Sequence, residues 1–161
     1  MWTEINFSKI YGKTEMKGDK MSSSYVMDTS SLFSLFFIDS ENRIRAILNE
    51  SYILDLTGYE VGSILTKGND GHIKGLKNDA IIVLTKEIEM VISKIKVIML
   101  SPIHISEIMA LSMSTGLTFY DASYVFYSKN LNLTLLTNDR EMYVNAKRMG
   151  LDVKKVEELP N

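Results

Sequence analysis

The chain has 161 residues, of which 45% are hydrophobic and 24% are charged, an ordinary composition for one globular domain with a substantial core. It contains no cysteine, which excludes a disulfide framework, a thiolate zinc site and a cysteine nucleophile, and which fits a reducing compartment such as the cytoplasm. The formal net charge of −2 excludes a uniformly basic nucleic-acid-binding surface, so any nucleic acid would be contacted locally. The most apolar short run, residues 31–38, is too short to span a bilayer, and the N-terminus lacks a signal pattern. We therefore expect a cytoplasmic protein.

Two segments differ in character. Residues 1–24 are mainly polar and are predicted to be an N-terminal extension that docks on the domain or makes an oligomer contact. From residue 25 onward the pattern is regular, and residues 25–161 are predicted to form one folded domain.

The first half of this domain alternates between short strands and helices. "YVMD" is predicted to be a strand, and the following residues 29–40 a helix with hydroxyl residues at its start. A second helix is predicted over residues 41–49, then the strand "SYILDL" and a helix over residues 57–67. These segments form two successive units, each with a strand followed by a helix.

The second half repeats this alternation after a loop at residues 68–75 that is rich in Gly and Asn. The predicted elements are a long helix with apolar residues from Ile81 to Ile95 at a 3.6-residue period, a strand "KVIML", a helix over 102–113, a helix over 121–130, a strand "LTLLTN", a helix over 140–149 and a strand "DVKKVE". Strands separated by helices predict a three-layer α/β/α sandwich with a central parallel sheet of about five strands.

Four acidic residues lie at the ends of these elements. Asp28 ends the first strand and Asp139 follows the fourth, while Glu60 and Asp121 lie at or near helix N-termini. Because ligands of open parallel sheets bind beyond the carboxyl ends of the strands, we expect these four carboxylates to converge on one crevice.

Clustered carboxylates require a counter-charge. A pair about 4 Å apart repels by about 1 kcal/mol in water and by several-fold more when partly buried. Mg²⁺ binds a few carboxylate oxygens together with water and phosphate oxygens, which suits a pocket without Cys or His better than zinc does. The pattern therefore predicts metal-dependent phosphoryl transfer or hydrolysis.

A simpler interpretation exists for each acid taken alone, because an Asp or Glu at a helix start can cap free N–H groups and favour the helix dipole. Asp55 is a rival of Glu60 if that helix starts later than predicted. His72 and His104 lack a partner at metal-ligand spacing and are expected at the surface or at a helix start. The aromatic residues of "TFYDASYVFY" are expected in the core, with Tyr120 beside the crevice.

The segments "VMDTSSL", "GYEVGSIL" and "LTFYDASYVFYSKNLNLTLLTNDREM" resemble the signature segments of the PIN-domain family, which includes toxin ribonucleases of prokaryotic toxin–antitoxin pairs. The resemblance spans about residues 25–156, and its most specific part is the Tyr-Asp-Ala helix start followed by a strand and Thr-x-Asp. It implies an α/β/α fold, Mg²⁺ or Mn²⁺ binding and cleavage of RNA to 5′-phosphate and 3′-hydroxyl ends.

The resemblance also implies roles for individual residues. Asp28 and Asp121 would be the main metal ligands, Asp139 would ligate the metal or hold a water bound to it, and Glu60 would orient water. Further residues with supporting polar roles would bond the carboxylates or the scissile phosphate, namely Thr29, Ser30 and Thr137. Candidates for phosphate contacts are Lys67, Lys129, Arg140, Lys147 and Arg148, each of which can equally be a solvated helix charge.

The sequence therefore predicts a metal-dependent endoribonuclease, acting as a homodimer and inhibited by a small antitoxin protein. The first alternative is a catalytically silent PIN-like module that binds RNA or protein without metal. The second is a phosphatase with an aspartyl nucleophile at Asp28, which ranks last because Ser30 stands where that class has a second Asp.

Overall fold

The computed structural model describes residues 24–67 and 78–160. Its strands are β1 (Tyr25–Met27), β2 (Ser51–Leu54), β3 (Lys96–Ile98), β4 (Thr134–Leu136) and β5 (Val153–Lys154). Its helices are α1 (Thr29–Ser34), α2 (Glu41–Asn49), α3 (Leu56–Lys67), α4 (Asn78–Ile92), α5 (Ile105–Thr115), α6 (Phe119–Leu131) and α7 (Arg140–Arg148). Single turns of 3₁₀ helix occupy Leu35–Phe37, Pro102–His104 and Val156–Glu158.

All strand pairs are parallel, and the order across the sheet is β3-β2-β1-β4-β5. The chain therefore builds β1, β2 and β3 outward in one direction, then returns to place β4 on the other side of β1. Met27 and Leu136, the last residues of β1 and β4, are directly paired. The direction of strand order reverses between these two strands, and ligands of open α/β sheets bind at such a reversal.

The core lies on both faces of the sheet. Tyr25 and Met27 of β1 belong to one apolar cluster, whereas Val26 between them belongs to the other. Successive strand side chains point to opposite faces, so this alternation separates the two clusters. The predicted α/β/α architecture with a five-stranded parallel sheet is confirmed.

Several helix boundaries differ from the predicted ones. The first helix ends at Ser34 and tightens to a 3₁₀ turn over Leu35–Phe37, so the helix predicted to residue 40 is wrong. The helix predicted from Asp121 begins two residues earlier because Thr118 caps it. The helix predicted from Pro102 opens as a 3₁₀ turn before α5, and Ile95 packs in the core beyond the end of α4.

Two predictions fall outside the described residues. The extension at residues 1–24 lies there apart from Ser24, and so does the loop at residues 68–75 with His72. The division into an extension and one domain over residues 25–161 stays a prediction. Among the helices of the described ranges, none is long and apolar enough to cross a membrane.

Candidate active site

Asp28 leaves β1 and caps α1 at the centre of the carboxyl edge of the sheet. The backbone N–H of Ser31 donates to Asp28 Oδ1 at 2.8 Å, and the Ser30 hydroxyl lies 2.9 Å from Oδ1 and 2.7 Å from Oδ2. Thr137 donates to Oδ2 at 2.7 Å. Only 3% of Asp28 is exposed, and this burial raises its pKa from 3.8 to about 6 although the hydrogen bonds lower it. The protein therefore holds a desolvated acid at the strand reversal.

Thr137 connects Asp28 to Asp139. Its hydroxyl accepts from the backbone N–H of Asp139 at 3.0 Å while donating to Asp28. Ser30 forms a parallel link, since its hydroxyl accepts from the backbone N–H of Asn138 at 2.9 Å. Asp139 is exposed and caps α7, with Oδ1 accepting from the backbone N–H of Met142 at 2.7 Å. The structure thus brings the ends of β1 and β4 together through two hydroxyl groups.

Glu60 belongs to a second set of hydrogen-bonded side chains, which we call the Glu60 group and which consists of Glu60, Thr29, Thr57 and Tyr124. Thr29 donates to Glu60 Oε2 at 2.6 Å, and Tyr124 donates to the same oxygen at 2.7 Å. The Tyr124 hydroxyl also lies 2.7 Å from Thr57 Oγ1. Since Thr29 directly follows Asp28, the two groups share one turn of backbone. Glu60 itself lies in the second turn of α3, which starts at Leu56.

Asp121 lies in the first turn of α6, where it forms a reciprocal cap with Thr118. The Thr118 hydroxyl accepts from the Asp121 backbone N–H at 3.1 Å and donates to Asp121 Oδ2 at 2.6 Å. Within the described residues, no hydrogen bond joins Asp121 to the other three acids. Asp121 shares α6 with Tyr124, which donates to Glu60.

The capping interpretation is confirmed for Asp28 and Asp139, and it accounts for one oxygen of each carboxylate. In the described ranges, Glu60 and Asp121 likewise each use only one carboxylate oxygen as an acceptor. Glu60 accepts at Oε2 and Asp121 at Oδ2, so in the described part of the chain Glu60 Oε1, Asp121 Oδ1 and Asp139 Oδ2 have no protein hydrogen bond. Capping therefore leaves carboxylate oxygens available for a ligand.

Asp55, the alternative to Glu60, bonds backbone groups that connect two strand ends. Its Oδ1 accepts from the backbone N–H groups of Leu56 at 3.0 Å and Leu100 at 3.2 Å, tying the end of β2 to the segment after β3. Within the part of the chain that the structure describes, no hydrogen bond joins Asp55 to the other acids. His104 lies 3.0 Å from Glu107 Oε2 and stacks at a tilt on Phe126, as expected of a residue at a helix start.

The carboxylate oxygens of the four predicted site acids are ligands that a hard divalent cation prefers. The two ion pairs found within residues 24–67 and 78–160 join Arg45 to Glu41 and His104 to Glu107, so neither neutralises Asp28 or the other predicted site acids. In these ranges no three His, Cys, Asp or Glu side chains form a group that could hold a metal ion. The predicted convergence of four carboxylates stays a prediction. Mg²⁺ needs only one or two carboxylates when waters and phosphate oxygens complete its shell.

The PIN domain family model matches residues 25–148, which include all four acids. The chain belongs to the PIN domain family.

Relatives of this PIN domain include a curated protein and several solved structures. It is 32% identical to Exonuclease VapC9 from Pyrobaculum aerophilum over 124 residues, which cover 76% of this chain and 86% of that protein. The crystal structure of PAE2754 from the same organism is 29% identical, with a TM-score of 0.69 and coverage of 86% of this chain and 93% of that one. VapBC-1 from nontypeable Haemophilus influenzae has a TM-score of 0.56 at 14% identity, over 83% and 98% of the two chains, and shows the shared fold.

The sequence interpretation missed part of this site. Tyr124 is predicted as a core aromatic residue and Thr57 is given no role, yet Tyr124 donates to Glu60 and Thr57 contacts the Tyr124 hydroxyl. A signal was available, because Thr57 and Glu60 are three residues apart on one helix, as are Asp121 and Tyr124. Asn138 was also missed: its side chain bonds Ser34, Glu157 and the backbone of Val156.

The five candidate cations for phosphate contact are exposed in this PIN domain. Lys147 Nζ lies 5.7 Å from the centre of the Tyr143 ring, and Lys155 Nζ lies 5.7 Å from the same ring. The solvated interpretation accounts for the exposure, and a phosphate contact stays a prediction.

Proposed function

We propose that this protein is a metal-dependent endoribonuclease that hydrolyses RNA phosphodiester bonds with Mg²⁺ or Mn²⁺. The observation that carries the proposal is Asp28, a nearly fully buried carboxylate that lies at the strand reversal with no cationic side chain paired to it in the described residues. Membership of the PIN family and the likeness to a protein named as an exonuclease support a nuclease activity.

The proposed roles are those that the resemblance to the PIN-domain family implies. Asp28 and Asp121 would hold the metal, Asp139 would ligate it or hold a water beside it, and Glu60 would orient the attacking water. Thr29, Ser30 and Thr137 fix these carboxylates through hydrogen bonds, as the links around Asp28 and Glu60 suggest. A divalent ion bound here would supply a nucleophilic water at neutral pH and offset charge on the phosphate.

The choice between an endonuclease and an exonuclease can be made with RNA topology. Purified protein with Mn²⁺ should cut a circular single-stranded RNA as well as the linear form of the same sequence. An exonuclease needs an end and would leave the circle intact. Degradation of only the linear RNA would therefore contradict the endonuclease proposal while retaining a nuclease.

The site assignment is tested by Asp121→Asn. Loss of a ligand removes several kcal/mol of charge stabilisation, so the cleavage rate should fall by at least about 100-fold. Asp79→Asn is the matched control because Asp79 is an exposed acid in the first turn of α4. Equal cleavage by Asp121→Asn and wild type would show that the assignment is wrong.

The catalytically silent module remains the second candidate, because the described residues contain no group of three ligands ready to hold a metal. Titration calorimetry separates the two functions. A metal-dependent nuclease should bind Mn²⁺, and Asp28→Asn should weaken that binding. RNA binding without Mn²⁺ binding or cleavage would favour the silent module.

The proposal includes a small antitoxin protein as partner and a cytoplasmic location. Solved relatives of the same fold include a toxin–antitoxin complex from Klebsiella pneumoniae, with a TM-score of 0.55, 19% identity and coverage of 84% of this chain and 100% of that one. Co-expression with the product of an adjacent small reading frame should yield a co-purifying complex that no longer cuts RNA. Unchanged cleavage after co-expression would contradict this partner.

We further propose that the protein forms a homodimer through α5. Ile105, Met109 and Met113 follow one another at four-residue intervals on α5, and they are 47%, 48% and 79% exposed. We call these three residues the α5 stripe. Solvent-exposed apolar rows of this kind mark association surfaces more often than isolated apolar residues do.

A further inference from the structure

Tyr124 is a buried tyrosine whose hydroxyl belongs to the Glu60 group. Only 1% of the residue is exposed, and its hydroxyl donates to Glu60 Oε2 at 2.7 Å. Because a phenol has one proton, the contact of 2.7 Å with Thr57 must use the Thr57 hydroxyl as donor. The hydrogen bonds therefore run in one direction, from Thr57 to Tyr124 to Glu60.

The hydroxyl is held as a permanent donor. Burial raises the pKa of Tyr124 far above its ordinary value, and the charge of Glu60 raises it further. Thr57 is fully buried and Thr29 nearly so, and Thr29 donates to the same Glu60 oxygen at 2.6 Å. Two hydroxyl groups on one carboxylate oxygen fix its orientation more tightly than one, since bonds to an ionised acceptor are strong.

The same network connects three elements that carry the proposed site. Thr29 follows Asp28 at the start of α1, and Thr57 lies with Glu60 on α3. Tyr124 lies on α6 one turn after Asp121, on the same side of that helix. A displacement of α3 relative to α6 would therefore break the bond at Glu60.

We propose that Tyr124 is a positioning residue that orients the Glu60 carboxylate, holding Oε2 so that Oε1 remains free for water. This inference rests on the proposed function, in which Glu60 orients the attacking water. Packing alone requires only the ring, which Phe would supply. The Tyr124 hydroxyl also lies 3.3 Å from Thr29 Oγ1, but both hydroxyl groups have their shorter contact with Glu60 Oε2, to which each donates.

The test compares Tyr124→Phe with Tyr127→Phe. Both remove one buried hydroxyl from α6, but Tyr127 bonds the backbone of Ser101 at 2.8 Å and is not part of the Glu60 group. Tyr124→Phe should lower kcat by about 10- to 100-fold with little change in KM, because misplacement of a reacting group costs up to about 100-fold. Mn²⁺ affinity should stay within about twofold of wild type, since Glu60 is not assigned to the metal.

A double-mutant cycle separates positioning from general stability. Once Glu60→Gln has removed the carboxylate, adding Tyr124→Phe should cause no further loss of kcat, because the two residues act as a unit. Wild-type kcat in Tyr124→Phe, or losses that multiply in the double variant, would overturn the inference. Equal losses of kcat in Tyr124→Phe and Tyr127→Phe would also overturn it.

The inference can fail separately from the proposed function. If wild type cuts no RNA, the endoribonuclease proposal fails, and the Glu60 carboxyl carbon signal in NMR still reports on the contact. Tyr124→Phe should shift that signal and Tyr127→Phe should not. No shift in Tyr124→Phe would overturn the positioning role whatever the activity of the protein.

Discussion

Asp28 shows how one residue serves local structure and the candidate site at once. It caps α1 through Oδ1 and receives the Thr137 hydroxyl at Oδ2, yet it is almost fully buried. Three donors, the Ser31 backbone N–H and the Ser30 and Thr137 hydroxyl groups, do not fully replace water, so the charged form remains unfavourable and the pKa rises to about 6. A nearby cation would therefore stabilise the charged form of this buried carboxylate more than that of an exposed one.

Replacing this acid should therefore stabilise the metal-free protein at high pH. The folded-state pKa of Asp28 exceeds the ordinary value of 3.8, so its contribution to stability is fully present below 3.8 and is lost as the pH rises through about 6. Asp28→Asn stays neutral and should be more stable than wild type at pH 8, by up to about 3 kcal/mol. Urea unfolding with a chelator present, at pH 4 and pH 8, measures this difference.

The matched control is Asp139→Asn, which removes the N-cap acid of α7 at an exposed position. This variant loses a capping charge at the surface, whereas Asp28→Asn loses a charge that is buried in the wild-type protein. A difference between Asp28→Asn and wild type that is the same at pH 4 and pH 8 would contradict the explanation by burial.

At the scale of elements, glycines of similar surroundings have opposite roles. Gly62 lies inside α3, and a Cβ there would meet no atom within 4 Å. Gly116 ends α5 with φ of +75°, and a Cβ there would also meet no atom within 4 Å. At both sites an added Cβ is free of contacts, whereas only Gly116 has a left-handed backbone, so the pair separates helix propensity from left-handed strain.

Alanine should therefore have opposite effects at these two positions. Gly62→Ala should raise the free energy of unfolding by about 0.5–1 kcal/mol, since Ala loses less backbone entropy in a helix. Gly116→Ala should lower it by about 1–2 kcal/mol because the left-handed conformation is strained for Ala. Urea denaturation measures both, and a destabilised Gly62→Ala or a neutral Gly116→Ala would contradict the assignment.

At the scale of the whole molecule, the two faces of the sheet are covered and the remaining exposed apolar surface includes the α5 stripe. Strand β3 forms one edge of the sheet, next to β2, and its Val97 is also 48% exposed. Burial of the α5 stripe against a second copy would remove three large side chains from water. This gain is the physical basis of the proposed homodimer.

A charge in the α5 stripe should dissociate that dimer. Met109→Lys would bury an unpaired ammonium group, so the dissociation constant should rise by at least about tenfold, corresponding to about 1.4 kcal/mol. Ile82→Lys is the control because Ile82 is a similarly exposed residue on α4. Analytical ultracentrifugation measures both variants. A dimer unaffected by Met109→Lys, or a monomeric wild type, would contradict the proposal.

The sequence by itself determined the order of strands and helices, the parallel sheet and the location of the acids at the ends of elements. These features depend on periodicity, capping and turns, which act over a few neighbouring residues. The same local rules misplaced the end of α1 and the start of α6, where the tightened turn and the Thr118 cap decide the boundary. They also assigned Tyr124 to plain packing.

Only the tertiary structure decided which side chains meet. The strand order places β4 beside β1, which brings Thr137 within 2.7 Å of an acid 109 residues earlier. The contact between Tyr124 and Glu60 joins residues 64 apart on different helices. No local pattern encodes such partners, because strand neighbours and helix packing are fixed by burial of the two apolar cores together.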